Sequence, residues 1–365
     1  MMRRVLSYGL AAWLLVALTG CRREPVTREE GMPILFSTSA MQLSAPATRS
    51  SDDVPHTSEY LIADGRKIAV FGTWTSADGE STNVFSKMGV TCELQNDNSV
   101  KWVYSPLKYW RRGGQYYFRA IFPYDVNTQY GTDGTRLVTS YSMFADNTDL
   151  MVAGSTRDMV DDDKSPVQLT FMHACAAVRV VFRKGSGDSQ RHYLLNSCKM
   201  QYLHSVGVLV YDQDEVTLSS WQSAEFRSPS VMEWKASSPS GMIEVPASYT
   251  DFKQVTQNGW EQWHYVIPQN LNADDNNHTS LEFSVHVRQY QEDGVTLSYQ
   301  TDEPVYTTLQ LPVTYTDANN QVHDFIWEPG KTYTYYVQIQ AGQASITVKV
   351  SDWDAYYVYV DDLIF

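Results

Sequence analysis

From residue 31 onward, short runs of β-branched and aromatic residues alternate with clusters of Gly, Asn, Asp and Pro, and long helical patterns are absent. Such spacing specifies sandwiches or barrels. The clearest run, Lys331-Thr332-Tyr333-Thr334-Tyr335-Tyr336-Val337-Gln338-Ile339, has a period of two that places Tyr333, Tyr335, Val337 and Ile339 on one face. Ile346-Thr347-Val348-Lys349-Val350 repeats the pattern after Ala341-Gly342-Gln343, which predicts a hairpin. Glu328-Pro329-Gly330 ahead of it is turn chemistry. Strands are predicted over 34–39, 67–74, 89–94, 115–122, 167–172, 177–183, 200–211, 281–289, 331–340 and 344–350.

Composition agrees with an all-β chain. The 24 Tyr, 13 Phe and 10 Trp, against 19% charged residues, favour strands over exposed helices. At 365 residues the chain exceeds what one core usually organises, so two domains are expected. The run Lys184-Gly185-Ser186-Gly187-Asp188 is the candidate hinge, giving sandwiches over 32–185 and 186–365. Proline- and serine-rich stretches at 44–56 and 228–240 punctuate the strand series. A net charge of −14 has the wrong sign for neutralising phosphates, which argues against nucleic acid as a partner.

Residues 1–20 have the zones of an export signal: Arg3 and Arg4, an apolar run over 10–18, then small residues. The apolar run is too short to span a bilayer. Leu18-Thr19-Gly20-Cys21 matches the bacterial lipobox, so Cys21 is the expected lipidation site and the new amino terminus. Acyl chains there would anchor the protein, with 21–31 as a polar tether. No other segment needs lipid contact.

Three further cysteines, Cys92, Cys175 and Cys198, form neither a complete disulfide framework nor a zinc spacing, and Cys175 reads as a core thiol. Asp161-Asp162-Asp163 lacks the interleaving of a calcium loop and reads as a solvated turn. His173, on a strand beside small residues, reads as a hydrogen-bonded core histidine. Trp102, Tyr104, Tyr109, Trp110, Tyr116, Tyr117 and Phe118 could stack on sugar rings, but their alternation favours packing. Phosphate-loop, nucleophile-elbow and zinc-helix motifs are missing, so neither catalysis nor a cofactor is expected.

The end of the chain, Ala355-Tyr356-Tyr357-Val358-Tyr359-Val360-Asp361-Asp362-Leu363-Ile364-Phe365, is β-prone on both faces. Two readings stay open: a final edge strand of its own domain, or a strand offered to another subunit.

Several of these segments, taken in order, resemble the fimbrillin-like lipoproteins, the subunits of type V pili and their accessory proteins. The resemblance rests on the lipobox at Cys21, Pro33-Ile34-Leu35-Phe36 followed by Ala47-Thr48-Arg49, and Ile68-Ala69-Val70-Phe71-Gly72-Thr73-Trp74. It continues through the segments 100–110, 117–123, 149–153, 169–174, 266–269 and 329–333. It implies two tandem transthyretin-like β-sandwiches and an outer-membrane or cell-surface destination. It also implies an arginine-specific protease cutting after the first strand, at Arg49, to release Ile34, Leu35 and Phe36. The opened groove then takes a terminal strand of the next subunit, here Tyr357, Val358, Tyr359, Val360, Leu363, Ile364 and Phe365. The implied partners are other pilus subunits, that protease, and host or bacterial surface ligands. Anchor or tip subunits, and a glycan- or protein-binding lipoprotein that does not polymerise, are the alternatives.

Overall fold

A computed structural model describes residues 31–38, 65–96, 100–131, 135–143, 148–158, 165–212, 215–223, 232–234, 242–245, 247, 263–272, 278–316, 319–341 and 343–352. The expected all-β architecture is met: the helical content of these residues is a single 3-10 turn, Leu218–Ser220. The first half supplies β1 (Phe36–Thr38), β2 (Lys67–Thr75), β3 (Ser81–Leu94), β4 (Val100–Val103) and β5 (Gln115–Phe122). It continues with β6 (Thr128–Tyr130), β7 (Leu137–Ser142), β8 (Met151–Asp158), β9 (Val167–Leu169) and β10 (Met172–His173).

After these come β11 (Ala176–Lys184), β12 (Arg191–Gln201), β13 (Val206–Tyr211), β14 (Trp221–Ser223), β15 (Met232–Trp234) and β16 (Ile243–Glu244). Next are β17 (His264–Val266), β18 (Gln269–Asn270), β19 (Ser280–Tyr290), β20 (Leu297–Gln300) and β21 (Val305–Gln310). The last five are β22 (Thr314–Thr316), β23 (Val322–Asp324), β24 (Ile326–Trp327), β25 (Lys331–Gln340) and β26 (Gln343–Asp352).

A six-stranded sheet, β10-β8-β5-β2-β3-β4, carries the first half. Its central strands are apolar without alternation because both faces are covered. Ile68, Val70, Phe118 and Ala120 enter one core with Ile34 and Phe36, while Ala69, Phe71 and Ile121 enter a second core shared with the rest of the chain. In the second half, β17-β11-β25-β26 faces a sheet built on β15-β12-β19, and Phe182 meets Phe283 edge-on at 5.4 Å between them. The predicted hairpin is β25–β26, and Tyr333, Tyr335, Val337 and Ile339 are all buried. Trp327 Nε1 donates to Tyr335 Oη at 2.9 Å, which satisfies the indole inside that core.

Two features cross the expected boundary at 185/186. β11 precedes it, yet pairs in parallel with β25 along residues 177–184 and antiparallel with β17. β13, which follows it, joins β14 to β7 and β6 of the first half in one four-stranded sheet. The glycine-rich run expected as a hinge is the turn from β11 to β12, with Gly185 N donating to Ile339 O and Asp188 N to Gly185 O.

Candidate functional site

The first strand lies in a groove with a partner on each edge. On one side β1 runs parallel to β9, in the register Phe36 to Val167, Ser37 to Gln168 and Thr38 to Leu169. Val167 N donates to Leu35 O at 2.7 Å, and Ser37 Oγ donates to Gln168 Oε1 at 2.8 Å. On the other side Ile34 N donates to Lys108 O at 2.8 Å, Trp110 N donates to Met32 O at 3.2 Å, and Pro33 pairs with Tyr109. Backbone groups on both walls are therefore satisfied by this one segment.

Side chains follow the strand period. Ile34 and Phe36 point inward and are buried, whereas Leu35 between them is 42% exposed. Phe36 sits in an aromatic box, with ring centroids 5.4 Å from Phe85, 5.8 Å from Tyr104 and 5.8 Å from Phe118. Burying each of these side chains contributes about 1.5–3 kcal/mol. Tyr104 adds a directed contact: its hydroxyl donates to Ile34 O at 2.6 Å. Burial pushes the Tyr104 phenol above its ordinary pKa, so the donor keeps its proton at neutral pH.

The sequence pointed to Ile34, Leu35 and Phe36 but not to their holders. Tyr104 follows β4 and Gln168 is the middle residue of β9, and only the fold brings them to β1. Of the aromatic group at 102–118, Trp102, Tyr104, Trp110, Tyr116 and Phe118 are buried and Tyr109 is half exposed. Packing is what its five buried members do. Cys21, Arg49, Asp161 to Asp163 and Tyr357 to Phe365 lie outside the described residues.

Other singled-out residues are structural. His173 Nδ1 lies 2.8 Å from Asp149 Oδ2, with both side chains buried. Cys92, Cys175 and Cys198 are buried, and burial pushes the Cys198 thiol well up, away from the reactive thiolate. Among the described residues no three His, Cys, Asp or Glu side chains gather as a metal site. Among the same residues no helix is long and apolar enough to cross a membrane.

A family model described as fimbrillin-like matches residues 48–353. The chain belongs to the fimbrillin-like family. Among solved structures, a fimbrial protein from Bacteroides vulgatus ATCC 8482 is similar over 82% of this chain and 98% of its own, at 16% identity and a TM-score of 0.54. A candidate cell adhesion protein from Bacteroides uniformis ATCC 8492 is similar over 88% of this chain and 98% of its own, at 14% identity and a TM-score of 0.50. At such identities the likeness is one of fold. No curated protein sequence matches the chain.

Proposed function

We propose that this fimbrillin-like protein is a structural subunit of a cell-surface pilus, exported as a lipoprotein on Cys21 and contributing to adhesion. Proteolysis after Arg49 frees the first strand, and a neighbour's terminal strand, drawn from Tyr357 to Phe365, takes its place. The observation that carries this reading is the way the segment 32–38 is held. It fills a groove with hydrogen bonds on both edges and two apolar side chains, and reaches β2 only through residues 39–64, which contain Arg49. Removing it exposes paired backbone groups and two pockets that another extended segment can satisfy.

The partners in this reading are other subunits of the family and an arginine-specific protease, with host or bacterial surface ligands met by the finished fibre. The protein contacts the membrane through its lipid alone and works at the outer membrane or cell surface. The non-polymerising glycan-binding alternative is weakened because most of its aromatic platform is core. An anchor or tip subunit would use only one of the two ends.

Treating the purified chain with an arginine-specific protease tests this. The expected result is loss of the residues up to Arg49 and the appearance of SDS-resistant ladders, which R49A prevents. A clean cut at Arg49 that leaves the protein monomeric under all conditions overturns the shaft-subunit reading.

A further inference from the structure

We infer that Arg157 is a clasp holding the two walls of the first-strand groove to one another. It is a positioning residue for the strand-accepting site proposed above, and rests on that reading only for its use. Among the described residues, strand pairing links β9 to the segment 108–110 only through the first strand that lies between them. The side chain of Arg157 makes a second link.

Arg157 lies on β8, opposite Tyr116 of β5. Its Nη1 donates to Ser165 O at 3.0 Å and to Ser165 Oγ at 3.1 Å, and its Nη2 donates to Pro166 O at 2.9 Å. These acceptors immediately precede Val167, whose N–H holds Leu35. The same guanidinium lies 5.9 Å from the ring centre of Trp110, within cation–π range. Trp110 is the opposite wall: its N–H holds Met32, and its ring packs on Tyr116 at 4.9 Å and Phe118 at 6.0 Å. Phe118 in turn faces Phe36. One planar fork thus fixes the entry to β9 and the aromatic floor of the groove together.

The arrangement needs arginine. A lysine ammonium supplies charge at a point but cannot address two successive carbonyls in a plane while lying over an indole. With the fork in place, the walls keep their spacing when the strand between them departs, so the groove is preformed for its next occupant. Without it, packing of Trp110 on Tyr116 and Phe118 beneath the sheet is what remains among the described contacts of that wall.

Amide hydrogen exchange on the intact chain tests the clasp. In R157A, the amides of Ile34, Trp110 and Val167 should exchange at least tenfold faster, while amides of the β2–β3 ladder stay within about threefold of wild type. R157K should restore only part of the protection. If R157A does not fold, R157Q, which retains most of the stem, replaces it in the same comparison. Unchanged exchange at all three amides overturns the proposal. So does a loss of protection that spreads through β2–β3, since that marks general destabilisation. The outcome separates from the assembly reading: faster exchange at the three amides supports the clasp even if protease-treated protein never forms ladders. Ladders with unchanged exchange remove the clasp alone.

Discussion

The hydroxyl of Tyr104 donates a 2.6 Å hydrogen bond to the main-chain carbonyl of Ile34, joining two residues seventy positions apart. The bond is buried, and the carbonyl belongs to the segment on which assembly is proposed to depend. A side chain rather than a sheet neighbour therefore meets this part of the first strand's backbone.

Substituting Y104F keeps the ring in the aromatic box and removes the hydroxyl, which donates to Ile34 O and accepts from Lys108 N at 3.3 Å. Leaving a buried carbonyl without its partner costs about 1–3 kcal/mol. Urea unfolding should show that loss, and amide exchange should place it at residues 32–38 first. A change below about 0.3 kcal/mol would mean that water replaces the hydroxyl at no cost.

Phe36 and Leu35 should respond oppositely to truncation. F36A empties the box made by Phe85, Tyr104 and Phe118 and should cost about 3–5 kcal/mol. L35A, on the exposed face, should stay within about 0.5 kcal/mol of wild type. Chemical denaturation of the two variants side by side checks the inward and outward assignment of the strand.

Gly72 supports the same box from below. A Cβ at this position would lie 3.0 Å from Phe85 Cδ2 and 3.1 Å from Phe118 Cδ1, so both rings must give way to accommodate it. G72A should cost about 1–3 kcal/mol, the usual range for overpacking. It should also accelerate exchange at Ile34 more than at β25–β26. Equal effects on both would show that the rings relax without disturbing the groove.

His264 introduces a pH dependence in the second half of the chain. Its ring packs edge-on to Trp234 at 4.7 Å, and burial lowers its pKa from 6.5 to about 4, opposed in part by a hydrogen bond with the Glu233 backbone. The unfolded chain therefore binds the proton more readily than the folded one. Stability from this group is complete above pH 6.5, falls as the pH drops from about 6.5 to about 4, and levels off below that. The full difference is roughly 3 kcal/mol. H264F should flatten this component while keeping the contact with Trp234. Urea midpoints at pH 7 and pH 4.5 measure it, and an equal fall in wild type and H264F would exclude His264 as the source.

Much of the fold was legible where local pattern and burial coincide. The range 115–122 is β5 and 331–340 is β25, because the first is covered on both faces and the second carries Tyr333, Tyr335, Val337 and Ile339 at a period of two. The run 200–211, expected as one strand, is instead the end of β12 and all of β13, in different sheets. Tyr202 turns the chain at φ 60° between the buried Met200 and Leu203, and no glycine or proline marks the break. The range 167–172 likewise divides into β9 and β10 at Thr170-Phe171. At the groove, Ile34, Leu35 and Phe36 were legible as a short apolar strand over 34–39 and through the family resemblance. Tyr104 and Gln168 were not, because they meet residues 70 and 131 positions away, nor was Arg157, which joins Ser165 to Trp110 across the groove; none of these contacts leaves a local trace.

The central claim is that the groove now filled by residues 32–38 is where another copy's strand docks. A photo-crosslinking residue in place of Gln168, whose side chain accepts the hydrogen bond from Ser37, reads that position directly. Before proteolysis it should crosslink to residues near Ser37 of its own chain. After arginine-specific cleavage and assembly, the account predicts crosslinks to residues between 354 and 365 of a second copy, identified by mass spectrometry of isotopically mixed subunits. Crosslinks that remain within one chain after the first strand has been cut and ladders have formed would contradict it.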